Sequence, residues 1–85
     1  MDEALSAKVI TQIAAVKRIP VESITIDSTF KELAMDSLDA MNLMFALEEQ
    51  LGISIPDEAA STIQDVRGAV AGVQQILAEQ SGAQS

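Results

Sequence analysis

Apolar residues recur every three or four positions in three separate stretches of the chain, and that spacing predicts helices. Leu5, Val9, Ile13 and Val16 mark a first helix from about Glu3 to Lys17. Lys17 and Arg18 place cations at its carbonyl-rich end, and Pro20 disfavours α geometry at Ile19, so the helix stops there. Residues 19–36 hold no sustained period: Val21, Ile24 and Ile26 are apolar, and Asp27-Ser28-Thr29 is turn-forming. Phe30 and Leu33 are expected to anchor this long loop to the core.

The second helix is expected to begin with Asp36 as N-cap and to carry Asp39 in its first turn, where the helix dipole favours negative charge. It runs to about Leu51, and Gly52 supplies the stop. At 100° per residue, Ala40, Leu43, Met44, Leu47 and Leu51 form one stripe facing the core. Leu38, Met41, Asn42, Phe45, Glu48 and Glu49 fall on the opposite side. Either a small bundle buries this helix on both sides, or the second face docks a partner through apolar anchors framed by acids. The two glutamates favour docking.

After Gly52, Ile53-Ser54-Ile55 alternates briefly, and Pro56 suits the first turn of a short third helix through Asp57, Glu58, Ala59 and Ala60. Asp65 reads as the N-cap of a last helix with Val66, Val70, Val73 and Leu77 on its stripe and Ala69 and Ile76 flanking it. The expected fold class is all-α: a small four-helix bundle with a long loop between helices I and II and a short helix III. Residues 1–85 form one domain, with a polar tail from about Gln80 that frays.

Eighty-five residues bury only about 60% of their unfolded surface, which leaves little room for a large internal active site. The chain has neither Cys nor His, so a thiolate, a disulfide and the commonest catalytic base are all missing from the polypeptide. Thirteen acids against five bases give a formal charge of −8, which argues against nucleic acid and for partners with basic patches. No base stands between Lys31 and Arg67, whereas Glu32, Asp36, Asp39, Glu48, Glu49, Asp57, Glu58 and Asp65 all do. The acidic opening Met1-Asp2-Glu3 is unlike a signal peptide and no apolar run reaches membrane-spanning length, so a cytoplasmic monomer without a membrane span is expected.

Paired carboxylates are the remaining acid/base groups, but Glu48-Glu49 and Asp57-Glu58 stand among small or polar residues that form no pocket. No catalytic or metal-binding residue is expected. Ser37 has no base beside it and is not an activated nucleophile. Its position suits modification instead: a phosphodiester on Ser37 would lie at a helix N-terminus, where free N–H groups and the dipole stabilise an anion.

The run Phe30-Lys31-Glu32-Leu33-Ala34-Met35-Asp36-Ser37-Leu38-Asp39, followed by Ala46-Leu47-Glu48-Glu49-Gln50-Leu51-Gly52-Ile53-Ser54-Ile55-Pro56-Asp57-Glu58, resembles the core of acyl carrier proteins. With the flanking helices the resemblance covers nearly the whole chain. It implies that Ser37 carries 4′-phosphopantetheine, donated from coenzyme A by a Mg²⁺-using phosphopantetheinyl transferase, with Asp36 and Leu38 beside the attachment point. The arm brings the thiol that the chain lacks. The same resemblance implies that Leu38, Asp39, Met41, Asn42, Phe45, Glu48 and Glu49 meet basic patches on acyl-transfer and condensing enzymes of fatty-acid or polyketide synthases. Leu47, Ala60, Ile63 and Val66 would wall an acyl cleft.

Two positions depart from the family pattern. Ala34 stands where glycine is usual, and Asn42 where many members have an acid, which points toward a specialised carrier. A carrier for amino acids or another dedicated acid, and an acidic helical interaction module without a prosthetic group, are the alternatives. An enzyme using paired carboxylates is a third.

Overall fold

The computed structural model describes residues 3–82. Four helices follow in order: α1 (Glu3–Lys17), α2 (Ser37–Leu51), α3 (Asp57–Thr62) and α4 (Val66–Gly82), with one 3-10 turn at Val21–Ser23 in the first connection. The all-α bundle with its long first loop and short third helix is the architecture that the sequence predicts. α1 packs against both α2 and α4. The predicted stripes meet in the centre, where Val9, Ile13, Leu43, Leu47, Val66, Val70 and Val73 are essentially without solvent exposure. Each such side chain stabilises the fold by about 1.5–3 kcal/mol relative to exposure. No polar or charged residue is buried among the described residues.

The long loop is fastened rather than free. Phe30 is buried, its N–H donates to the Gln64 carbonyl (2.9 Å), and the Val66 N–H donates to the Ser28 carbonyl (3.0 Å). Arg67 adds an exposed ion pair to Asp27 at 2.5 Å. Asp65 caps α4 by accepting from the Gly68 N–H (2.6 Å), as its place before an apolar stripe predicts. Pro56 lies one step earlier than expected: it is the extended N-cap residue of α3, and the helix runs two residues beyond Ala60. Likewise α4 continues past Gln80 to Gly82, so the expected tail is helical that far, and residues 83–85 lie outside the described residues.

Among the described residues three corners of the backbone are left-handed: Arg18 (φ 57°), Ala34 (φ 56°) and Gly52 (φ 65°). Each closes a helical turn by the same device, in which the next N–H reaches back five residues. Ile19 donates to Ala14, Met35 to Phe30 and Ile53 to Glu48, at 3.1, 2.9 and 3.1 Å. Such a closure satisfies carbonyls that would otherwise be orphaned at a helix end. Glycine adopts this conformation freely, whereas Arg18 and Ala34 each cost about 1 kcal/mol or more from the contact between Cβ and the carbonyl oxygen.

Candidate functional site

The start of α2 is built by two acids. Asp36 Oδ1 accepts from the Asp39 N–H at 2.8 Å, and Asp39 Oδ2 accepts from the Asp36 N–H at 3.3 Å, a reciprocal capping box. Ser37 is the first residue of the helix thus fixed, and it is exposed. Among the described residues nothing accepts from the N–H groups of Ser37 and Leu38. These donors and the positive end of the helix dipole suit a phosphate held on the serine oxygen.

Lys17, at the far end of α1, reaches this corner. Its Nζ lies 2.9 Å from Asp39 Oδ2 and 2.9 Å from the Ala34 carbonyl oxygen. The Lys17 ammonium, and after it the Asp36 N–H, hold the Asp39 carboxyl below its ordinary range. Asp39 is therefore also engaged within the chain, by Lys17 and by the Asp36 N–H. Sequence order hid this, because the stretch without bases between Lys31 and Arg67 is neutralised at one point by a lysine 22 residues upstream.

The outward face of α2 is open. Leu38, Met41 and Phe45 are 64%, 52% and 58% exposed, with Asn42 and Glu49 exposed beside them. The alternative of a helix buried on both sides is excluded. Glu48 likewise has a partner within the chain: half-buried, it accepts from the Ile55 N–H at 2.7 Å and ties the α2–α3 connection to α2. Of the expected acidic docking residues, Glu49 alone has a carboxylate with no internal partner among the described residues.

A cleft of about 610 Å³ opens between α2 and α3, with Ser37, Met44, Phe45, Ile55, Ala60 and Ile63 among its lining residues. Ala60 and Ile63 stand where the sequence reading puts them. Leu47 and Val66 do not: both are fully buried in the bundle centre, because the stripe that packs on α1 and α4 lies behind the cleft wall. Met44 and Ile55, assigned from sequence to the core and to a connection, line the cleft while remaining buried. Their part follows from how α3 lies over α2, which no spacing along the chain encodes. Among the described residues no group of three His, Cys, Asp or Glu side chains could hold a metal ion. No helix among them is long and apolar enough to cross a membrane.

An exposed serine hydroxyl, free N–H donors beside it and a partly apolar cleft alongside together fit a phosphodiester-linked arm bearing an apolar cargo. Residues 7–73 match the family model described as a phosphopantetheine attachment site. An acyl carrier protein of Treponema denticola is 46% identical over 70 residues, which span 81% of this chain and 88% of that protein. One from Treponema pallidum is 52% identical over 48 residues, 55% of this chain and 62% of that one. The crystal structure of an acyl carrier protein from Thermotoga maritima superposes with a TM-score of 0.75 at 28% identity, covering 93% of this chain and 98% of that chain.

Proposed function

The chain belongs to the phosphopantetheine-attachment family of acyl carrier proteins, and from that premise we propose that Ser37 is the residue that bears 4′-phosphopantetheine. The observation that carries this reading is the position of Ser37: exposed, first in a helix whose N-terminus is fixed by a capping box, and on the rim of a cleft lined by apolar side chains. In the attachment step Ser37 Oγ forms a bond to the phosphorus of the pantetheine phosphate of coenzyme A. The phosphoanhydride bond breaks, adenosine 3′,5′-bisphosphate leaves, and the hydroxyl proton passes to a base of the transferase. The attached arm supplies a terminal thiol that holds acyl groups as thioesters.

What the chain itself does is to hold and present. The Ser37 and Leu38 N–H groups would donate to the phosphate, and Asp36, which caps the helix through Oδ1 and is adjacent to the serine, would stand beside the transferase's Mg²⁺ during attachment. Leu38, Met41 and Phe45 give a partner enzyme an apolar contact, while Glu49 and Asn42 beside them orient its basic patch. The cleft walled by Met44, Ile55, Ala60 and Ile63 shelters the acyl chain between transfers. Residues 1–85 act in this reading as one carrier domain in the cytoplasm, with catalysis left to the enzymes it visits.

Incubation with coenzyme A, Mg²⁺ and a broad-range phosphopantetheinyl transferase is expected to add one phosphopantetheine to the intact mass. Ser37→Ala is expected to add none. Addition to the alanine variant would remove the assignment.

A further inference from the structure

Among the described residues Lys17 is the one cation that enters the serine corner, and it does so from the other side of the long loop. Its ammonium joins two groups that bracket the attachment point: the Ala34 carbonyl, three residues before Ser37, and the Asp39 carboxylate, two residues after it. Ala34 is left-handed at φ 56°, a conformation that an alanine keeps only when surrounding contacts over-determine it. Asp39 in turn accepts the Asp36 N–H and so closes the capping box. Releasing the ammonium would remove one bond from each end of the Ala34–Asp39 segment at once, leaving the Met35–Phe30 bond and the capping box to hold it. Neither Lys8 in the middle of α1 nor Arg18 just after its end joins this segment: both are exposed and show no ion pair among the described residues.

We propose that Lys17 is a positioning residue for arm attachment: by bonding the Ala34 carbonyl and the Asp39 carboxylate together, it keeps Asp36 and Ser37 in the conformation that the transferase binds. The inference rests on the reading of Ser37 as the attachment point. Its physical consequence is a population effect. If only a fraction of molecules hold the competent corner, apparent affinity falls by that fraction while turnover of the bound complex is unchanged.

The test uses the whole chain without its arm, with Lys17→Met to keep the aliphatic stem and remove the donors. Lys8→Met, an exposed position on the same helix, is the control for loss of one positive charge. In steady-state transfer from coenzyme A, Lys17→Met is expected to raise KM for the carrier about tenfold with kcat within about twofold, as a drop of the competent fraction to about one tenth requires. Loss of a positive charge alone would strengthen attraction to a basic enzyme and lower KM, so the two causes differ in sign. Before any chemistry, amide exchange at Met35 and Asp39 is expected to quicken about tenfold in Lys17→Met while Leu47 keeps its protection. Asp39→Asn gives a second route: it is expected to raise KM, and the double variant to be no worse than Lys17→Met alone.

Wild-type KM in a folded Lys17→Met protein overturns the inference, as does an equal rise in Lys8→Met. Should Lys17→Met fail to fold, the KM of Asp39→Asn decides in its place. If the wild-type chain takes no arm, or Ser37→Ala takes one, the Ser37 assignment fails and the Lys17 inference falls with it. Modification at Ser37 with an unmoved KM overturns the Lys17 inference alone.

Discussion

The two ends of α2 are shaped by the same left-handed corner and differ in what holds it. After the helix, Gly52 takes φ 65° with nothing within 4 Å of the place a Cβ would occupy, so the turn needs no external support. Before the helix, Ala34 takes φ 56° against its own preference, and the Lys17 ammonium bonds its carbonyl. The end remote from the serine is intrinsically relaxed. The end that presents the serine is held in place by a tertiary contact, which is where strain in a protein is expected to be kept.

Side chains repeat the contrast. Glu48 at the C-terminal end and Asp39 at the N-terminal end are both expected to face partners, and each also has a bond within the chain. Glu48 accepts a backbone N–H that is otherwise buried with Ile55, whereas Asp39 is shared between a lysine and a cap at the surface. The first bond closes a connection; the second fixes a site.

The largest expected effect lies at the C-terminal end. Glu48→Ala leaves the Ile55 N–H without its acceptor and is expected to lower stability by about 1–3 kcal/mol in denaturant unfolding. A change below the error of the midpoint would mean that the α2–α3 connection does not depend on this carboxylate. Next comes a pair of opposite sign: Gly52→Ala is expected to cost about 1 kcal/mol, purely through its positive φ, and Ala34→Gly to gain about 1 kcal/mol by removing the same strain. Thermal melts would show the two shifts in opposite directions by about 4–8 °C each; shifts of one sign would break the comparison.

The smallest effect is the titration of Asp39. Its carboxyl is held low in the folded state by Lys17 and the Asp36 N–H, so its contribution is complete above the ordinary aspartate value of about 3.9 and disappears as pH falls through the lower folded value. NMR titration of Asp39 is expected to give a pKa below the ordinary range in the wild type and a higher one in Lys17→Met. An identical value in both would deny that the ion pair forms in solution.

Much of this was legible in sequence because it is local. The stripes of α1, α2 and α4, the Asp36 and Asp65 caps, the Gly52 stop and the exposed Leu38-Met41-Phe45 face all follow from residues within one or two helical turns of each other. The resemblance that marks Ser37 is likewise a contiguous run. The cleft was half legible: Ala60 and Ile63 line it, but Leu47 and Val66 were misplaced, since periodicity says that a residue is buried without saying against what.

The sequence by itself determined the helices, their caps, the order of apolar faces and the serine at the head of α2, since hydrophobic spacing and capping chemistry act over a few residues. The tertiary structure alone decided which acids are free. Asp39 meets Lys17 across 22 residues, and Glu48 meets Ile55 beyond a helix stop. Those pairings depend on how α1 crosses α2 and how the chain turns at Gly52. Charge along a chain is a list, while charge in a fold is set by distance, and distance is fixed only when the core has packed.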